Sequence, residues 1–422
     1  MTNHPGGRAD PTRPLLHFTA PTGWINDPHG LTFHRGAYHL FHQYVPDSPV
    51  WAPHCHWGHA VSTDLLRWEQ RPVALAPGDG DDGVWTGCLV TDGAGARILY
   101  TSVTHPDLGL GRVRVATPTD DGWDTWKKGD VVLQPPDGLD LVAFRDPFVV
   151  REGPGWRMFV GAGTASGEAM ALTWTSSDLE AWAYDGVAAS RSTTERDPVW
   201  MGSLWECPQL VEVDGHTVLL ASVWEAEVLH HVGYGLGSSD RGRFVAADWG
   251  RLSFGDAYYA PSYFEDSAGR PCLIFWMRGV GGADAGWSGC LSVPYVLSVA
   301  DGRLRATPHP ELAARRGPSP DPEPDLAAGP VDLEWSPDPD GDRLELVPPS
   351  GASTSLVVGH GTVTLERPGH ADSSMPWSGG DLRVLVDGPV VEVAGADGLL
   401  GGALAPPHRL LAGRGALRVW PL

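Results

Sequence analysis

Short acidic turns recur at nearly constant spacing along the first three quarters of the chain. Two clear copies are Ser62-Thr63-Asp64-Leu65-Leu66-Arg67-Trp68 and Ser176-Ser177-Asp178-Leu179-Glu180-Ala181-Trp182. With Asp64, Asp121, Asp178, Asp240 and Asp301 as markers, the intervals are 57, 57, 62 and 61 residues. Between them, apolar and polar residues alternate, as in Ala37-Tyr38-His39-Leu40-Phe41-His42-Gln43-Tyr44, with Arg35-Gly36 as the preceding turn. That alternation reads as strand, and no long helical period competes with it before residue 308. A repeat of this length, with a turn at fixed phase, specifies propeller blades. The expected fold is all-β, with a five-bladed β-propeller over residues 15–307.

The texture changes after Thr307. Residues 308–330 are rich in Pro, Ala and Asp and read as a linker with one helical turn near Glu311–Arg316. From Val331 onward, short alternating runs return between Gly/Pro turns, which predicts a β-sandwich over residues 331–422. Residues 1–14 read as a disordered tail without the apolar stretch of a secretory signal. Five scattered cysteines, Cys55, Cys88, Cys207, Cys272 and Cys290, fit reduced thiols, and the expected location is cytoplasmic. The net charge of -22 argues against nucleic-acid or anionic-membrane partners. No apolar run approaches the ~20 residues of a membrane helix. The 19 tryptophans instead suit the flat apolar faces of a small sugar. The sequence leaves the oligomeric state open.

Three acidic residues sit at or just before a proline and beside an apolar strand. They are Asp27 in Trp24-Ile25-Asn26-Asp27-Pro28-His29-Gly30, Asp146 in Phe144-Arg145-Asp146-Pro147, and Glu206 in Trp205-Glu206-Cys207-Pro208. Proline and glycine make the first of these read as a strand end turning sharply. By the repeat count the three fall in the first, third and fourth blades, on strands that face one axial mouth. Glycoside cleavage needs two carboxylates around the scissile bond. Glu206, near two aspartates in an apolar setting, suits the proton donor. Asp27 suits the ionised nucleophile, and Asp146 beside Arg145 suits a group that holds sugar hydroxyls.

The ordered motifs Asn26-Asp27-Pro28, Arg145-Asp146-Pro147 and Glu206-Cys207-Pro208 resemble the signatures of glycoside hydrolase family 32, the β-fructosidases. Phe41-His42-Gln43-Tyr44, Trp85-Thr86-Gly87-Cys88, Tyr258-Tyr259-Ala260-Pro261, Phe275-Trp276-Met277 and Leu382–Val393 are similar to other segments of that family. The resemblance implies a five-bladed propeller with a β-sandwich and a retaining hydrolase that releases terminal β-D-fructofuranosyl units from sucrose or small fructo-oligosaccharides. It assigns Asp27 as nucleophile, Glu206 as acid/base and Asp146 as transition-state stabiliser. Asn26, Gln43, Trp51, Trp85, Thr86, Arg145 and Trp276 would line the fructose pocket. Retention requires the Asp27 and Glu206 carboxyls to lie about 5–5.5 Å apart. Three positions depart from the usual pattern: His29 for Asn, Gln209 for Asp and Thr86 for Ser.

Other readings use the same residues. A fructosyltransferase would replace water with a sugar hydroxyl, and a non-catalytic fructan-binding propeller would keep only the pocket. An inverting arabinosidase or xylosidase scaffold fits the Asn26 and Glu206 contexts less well. No cofactor or metal is expected. His54-Cys55-His56 with His59 has no second ligand pair. Asp79–Asp82 reads as a solvated loop, with a calcium role as the alternative.

Overall fold

In this computed structural model, residues 12–93, 95–317 and 325–422 are described. Residues 1–11 of the expected tail and 318–324 of the expected linker lie outside them. The architecture is a five-bladed β-propeller followed by a β-sandwich.

Blades 2, 3 and 4 are four-stranded antiparallel sheets over Gly83–Leu133, Leu141–Ser192 and Leu204–Arg251. Blade 1 runs from Gly23 to Leu75 and blade 5 from Tyr258 to Pro308. The ring closes through Trp287–Leu291. This short strand pairs antiparallel with Pro271–Gly282 of blade 5 and parallel with Gly23–His34 of blade 1, so the two blades share one nine-stranded sheet. The sandwich packs a six-stranded sheet on a five-stranded one around Leu333, Trp335, Leu344, Leu356, Val384 and Val393. Its six-stranded sheet ends on Ser253–Phe254, which leaves blade 4 to pair with Gly398–Ala403 and covers an edge that would otherwise be open.

The repeat in the sequence has a local cause. Asp64 Oδ1 accepts the Leu66 and Arg67 N–H groups at 2.9 and 2.7 Å, and Asp178 Oδ1 accepts those of Glu180 and Ala181 at 2.9 Å each. Each caps the turn into its blade's outermost strand. In blade 2 the capping carboxylate is Asp120, not the marker Asp121. Asp120 takes the Gly122, Asp124 and Thr125 N–H groups, while Asp121 pairs with Arg35 at the surface. Arg35 and Gly36 have φ of 49° and 85°, the left-handed pair that a two-residue hairpin requires.

The propeller and sandwich meet over Tyr258, Leu273, Phe275 and Tyr295 on one side and Leu385, Val390, Ala394 and Leu399 on the other. A charged knot sits inside this apolar contact. His17 Nδ1 bonds Asp387 at 2.8 Å and Nε2 bonds Glu392 at 2.8 Å. Asp387 also accepts the Leu15, Leu16 and His17 N–H groups. Tyr258 and Tyr295 each donate to Glu392, at 2.7 and 2.8 Å. Burial alone would depress the imidazole. The charge of Glu392 and the bonds to both carboxylates outweigh it and raise His17 to about 9.

A raised histidine pKa stabilises the fold fully below the unfolded value of about 6.5 and loses that effect as pH climbs through the folded value. The His17→Gln variant should therefore lose about 3 kcal/mol or more at pH 7, because it leaves two buried carboxylates short of a cation. Thermal melts at pH 7 and above pH 9 should show the gap to wild type narrowing at the higher pH. A gap independent of pH would mean His17 is neutral in the fold.

Candidate active site

The three carboxylates stand on the innermost strands of blades 1, 3 and 4, Gly23–His34, Leu141–Glu152 and Leu204–Val213. None marks a strand end. Each lies at a register break inside a continuous strand. Blade 1 steps from Ile25↔Tyr44 to Pro28↔His42, and blade 4 from Glu206↔Ser222 to Gln209↔Leu220. Blade 3 breaks across Asp146 and Pro147. The sharp turn expected at Asn26–Gly30 is thus a bulge. Proline is tolerated there because a bulged residue gives up its ladder bond, and the strand continues beyond it.

The bulges deliver the side chains to one cavity of about 660 Å³. Asn26, Asp27, Gln43, Trp51, Trp85, Arg145, Asp146, Glu206 and Trp276 all line it. Thr86 lies beneath, and its hydroxyl donates to Asp27 Oδ2 at 2.7 Å. Asn26 Nδ2 donates to Asp27 Oδ1 at 3.0 Å, and Gln43 Nε2 reaches Asp27 Oδ2 at 3.4 Å and Thr86 Oγ1 at 2.5 Å. Trp24 orients Asn26 through its indole N–H, at 3.0 Å. Asp146 accepts the Cys207 N–H at 3.0 Å, and its own N–H donates to Thr101 Oγ1 at 2.8 Å. Glu206 accepts from the Tyr259 hydroxyl at 2.7 Å and faces Arg145 Nε at 3.4 Å.

Tyr259, Thr101, Trp224 and Glu227 are site residues that the motifs did not assign. Tyr259 stood in the segment Tyr258-Tyr259-Ala260-Pro261, and its place before the blade 5 bulge was the available signal. Thr101 and Glu227 carry no local signal, since one lies on a second strand and the other on a hairpin tip.

Burial raises all three carboxylates. For Asp27, bonds from Thr86 and Asn26 and the charge of Arg145 oppose it. For Asp146, the charge of Glu206 adds to burial while Arg145 opposes it. For Glu206, Arg145 and the Tyr259 bond oppose burial, while Asp27 and Glu227 reinforce it. Asp27 has the fullest set of side-chain donors and is the group best held as an anion. Asp146 is lifted furthest, to about 7, by burial and by the charge of Glu206 beside it.

Two motif departures serve packing. Gln209 donates to the Pro261 carbonyl at 2.6 Å and accepts the Tyr263 N–H at 2.7 Å, tying blade 4 to blade 5. His29 is buried against Trp57, with ring centroids 3.8 Å apart. The acidic loop is not wholly solvated. Asp79 and Asp82 are exposed, but Asp81 is buried and paired with Lys128 at 2.7 Å and Arg114 at 3.0 Å. Among the described residues, Asp266, Cys272 and His309 bring ligand-type atoms within 4.8 Å of one another. Asp266 is already paired there with Arg270 at 2.5 Å, at the far end of the blade 5 strand from Tyr259.

A family model for the Glycosyl hydrolases family 32 N-terminal domain matches residues 17–308. A sucrose-6-phosphate hydrolase of Zymomonas mobilis is 34% identical over 327 residues, covering 72% of this chain and 63% of that protein. The match thus spans just under two thirds of that relative's length. A sucrose-6-phosphate hydrolase of Bacillus subtilis is 31% identical over 332 residues, covering 74% of this chain and 68% of that protein. The structure of a Bombyx mori GH32 beta-fructofuranosidase superposes with a TM-score of 0.85 at 25% identity, covering 98% of this chain and 94% of that one.

A carboxylate whose pKa is raised on folding penalises the fold above its unfolded value and is neutral to it below. Replacing Glu206 with Gln should raise Tm at pH 7, by about 1 °C for each kcal/mol of burial penalty removed in a chain of this size. The gain should vanish near pH 4. A fall in Tm at pH 7 would show that Glu206 stabilises the fold through Arg145 and Tyr259.

Proposed function

The chain belongs to glycoside hydrolase family 32, and from that premise we propose that it is a retaining β-fructofuranosidase. It acts on the terminal β-D-fructofuranosyl unit of sucrose or a small fructo-oligosaccharide. Asp27 attacks the anomeric carbon C2, and Glu206 gives a proton to the departing glycosidic oxygen. The fructosyl ester on Asp27 is then hydrolysed by water, which passes its proton to Glu206. Asp146 holds fructose hydroxyls while positive charge develops at the ring. Asn26, Gln43, Trp51, Trp85, Arg145 and Trp276 bind the fructose, and Thr86 holds Asp27 in place.

One observation carries this reading. Three buried carboxylates meet in a single cavity, yet only Asp27 is surrounded by the Asn26, Thr86 and Gln43 side-chain donors. That asymmetry separates an ionised nucleophile from a protonated acid. The names of the Zymomonas, Bacillus and Bombyx relatives support a fructoside substrate. A cytoplasmic location is part of the proposal, supported by five cysteines that are all unpaired and buried.

Proton NMR of the purified protein with sucrose and short fructo-oligosaccharides should show β-fructofuranose as the first product. Initial α-anomer would mean inversion, and an absence of fructose from every fructoside would overturn the assignment. The Asp27→Ala variant should be inactive. Glu206→Gln should lower kcat by about 10²–10⁴-fold on substrates whose leaving group needs protonation. It should also remove the alkaline limb of the pH profile, because burial and Asp27 lift the acid above ordinary carboxylates. The acid limb, set by the raised Asp27, should persist.

A further inference from the structure

We propose that the leaving-group side of the cavity takes a neutral sugar and rejects a phosphorylated one, with Glu227 as the residue that discriminates. This rests on the fructosidase reading above. Glu227 lies at the tip of the hairpin that joins His216–Glu225 to Val228–Asp240 in blade 4. Glu225 pairs directly with Val228, so Ala226 and Glu227 form a two-residue turn, with φ of 50° and 63°. Both are in the left-handed region, which fixes the course of the tip relative to its strands. Glu227 lines the cavity together with Trp224 and Leu229 of the same hairpin. Glu206 lines the same cavity, and the charge of Glu227 acts on it.

The nearby cations are already engaged. Arg145 is the cationic side chain lining the cavity among the described residues. Its Nε faces Glu206 at 3.4 Å, and its guanidinium lies 5.7 Å from the Trp85 ring centroid. Arg278 is turned to the root of the hairpin, where it donates to the Leu229 and His230 carbonyls at 2.6 and 3.1 Å and sits over the Tyr259 ring. A departing sugar therefore meets apolar surface from Trp224 and Leu229 and an acceptor in Glu227. A neutral pyranose fits, since its ring packs on the apolar wall and its hydroxyls donate to the carboxylate. A phosphate on that ring would bring a dianion beside Glu227, and like charges at close range are strongly disfavoured.

The test compares kcat/KM for sucrose and for sucrose 6-phosphate, which carries its phosphate on the glucosyl leaving group. The full chain should prefer sucrose by about tenfold or more at low ionic strength, and less at high salt. Glu227→Lys should shrink that preference by about tenfold, chiefly by improving turnover of the phosphorylated substrate. Glu227→Gln keeps the shape and should move the ratio the same way by a smaller factor, which guards against a lysine variant that folds poorly. Equal or better use of sucrose 6-phosphate by the wild type, or a ratio unmoved in both variants, would overturn the proposal. Failure of the underlying reading is distinct, because no fructose would then form from either substrate.

Discussion

Every innermost strand of the propeller loses register once where it passes the site, and the site depends on those breaks. The breaks fall between Ile25 and Pro28, Trp85 and Gly87, Arg145 and Phe148, Glu206 and Gln209, and Tyr259 and Ser262. A regular strand would send successive side chains to opposite faces of its blade. A bulge re-aims one of them along the axis. Asp146, Cys207 and Ala260 take φ of 63°, 48° and 43°, each costing on the order of 1 kcal/mol or more. The surrounding blades hold them there. In return the Cys207 N–H points at Asp146, a bond that a flat strand would have given to its neighbour.

Bringing three carboxylates together opposes folding, and the rest of the molecule offsets that. Arg145 stands close to the group, and Tyr259, Thr86 and Asn26 supply donors. The ring cannot open easily at blades 1 and 5, because Trp287–Leu291 bonds to both. The sandwich braces blade 5 through a large apolar contact with one ionic knot inside it. Tyr258 belongs to that knot, and the adjacent residue, Tyr259, bonds Glu206 on the other side of the strand. The two-residue period of a strand thus couples the domain interface to the acid/base position without any shared side chain.

Much of the fold was legible because it is local. A carboxylate two or three residues before the N–H groups it caps leaves a mark in the chain, and Asp64 and Asp178 carry that mark in blades 1 and 3. The shift from Asp121 to Asp120 was not legible, since adjacent aspartates look alike until one faces the turn. The prolines of the motifs signalled a break, but a turn and a bulge share proline and glycine, and only pairing on both sides separates them.

The sequence by itself determined the blade count, the strand content and the identity of the three acidic residues, because alternation, turns and short motifs are contiguous in the chain. Tertiary structure decided which atoms meet. It set Thr86 under Asp27, Tyr259 against Glu206 and the Glu227 hairpin in the cavity wall. Those partners come from different blades or strands, tens of residues apart. The protonation of each carboxylate follows from burial and from charges acting through space, and neither exists until the ring has closed.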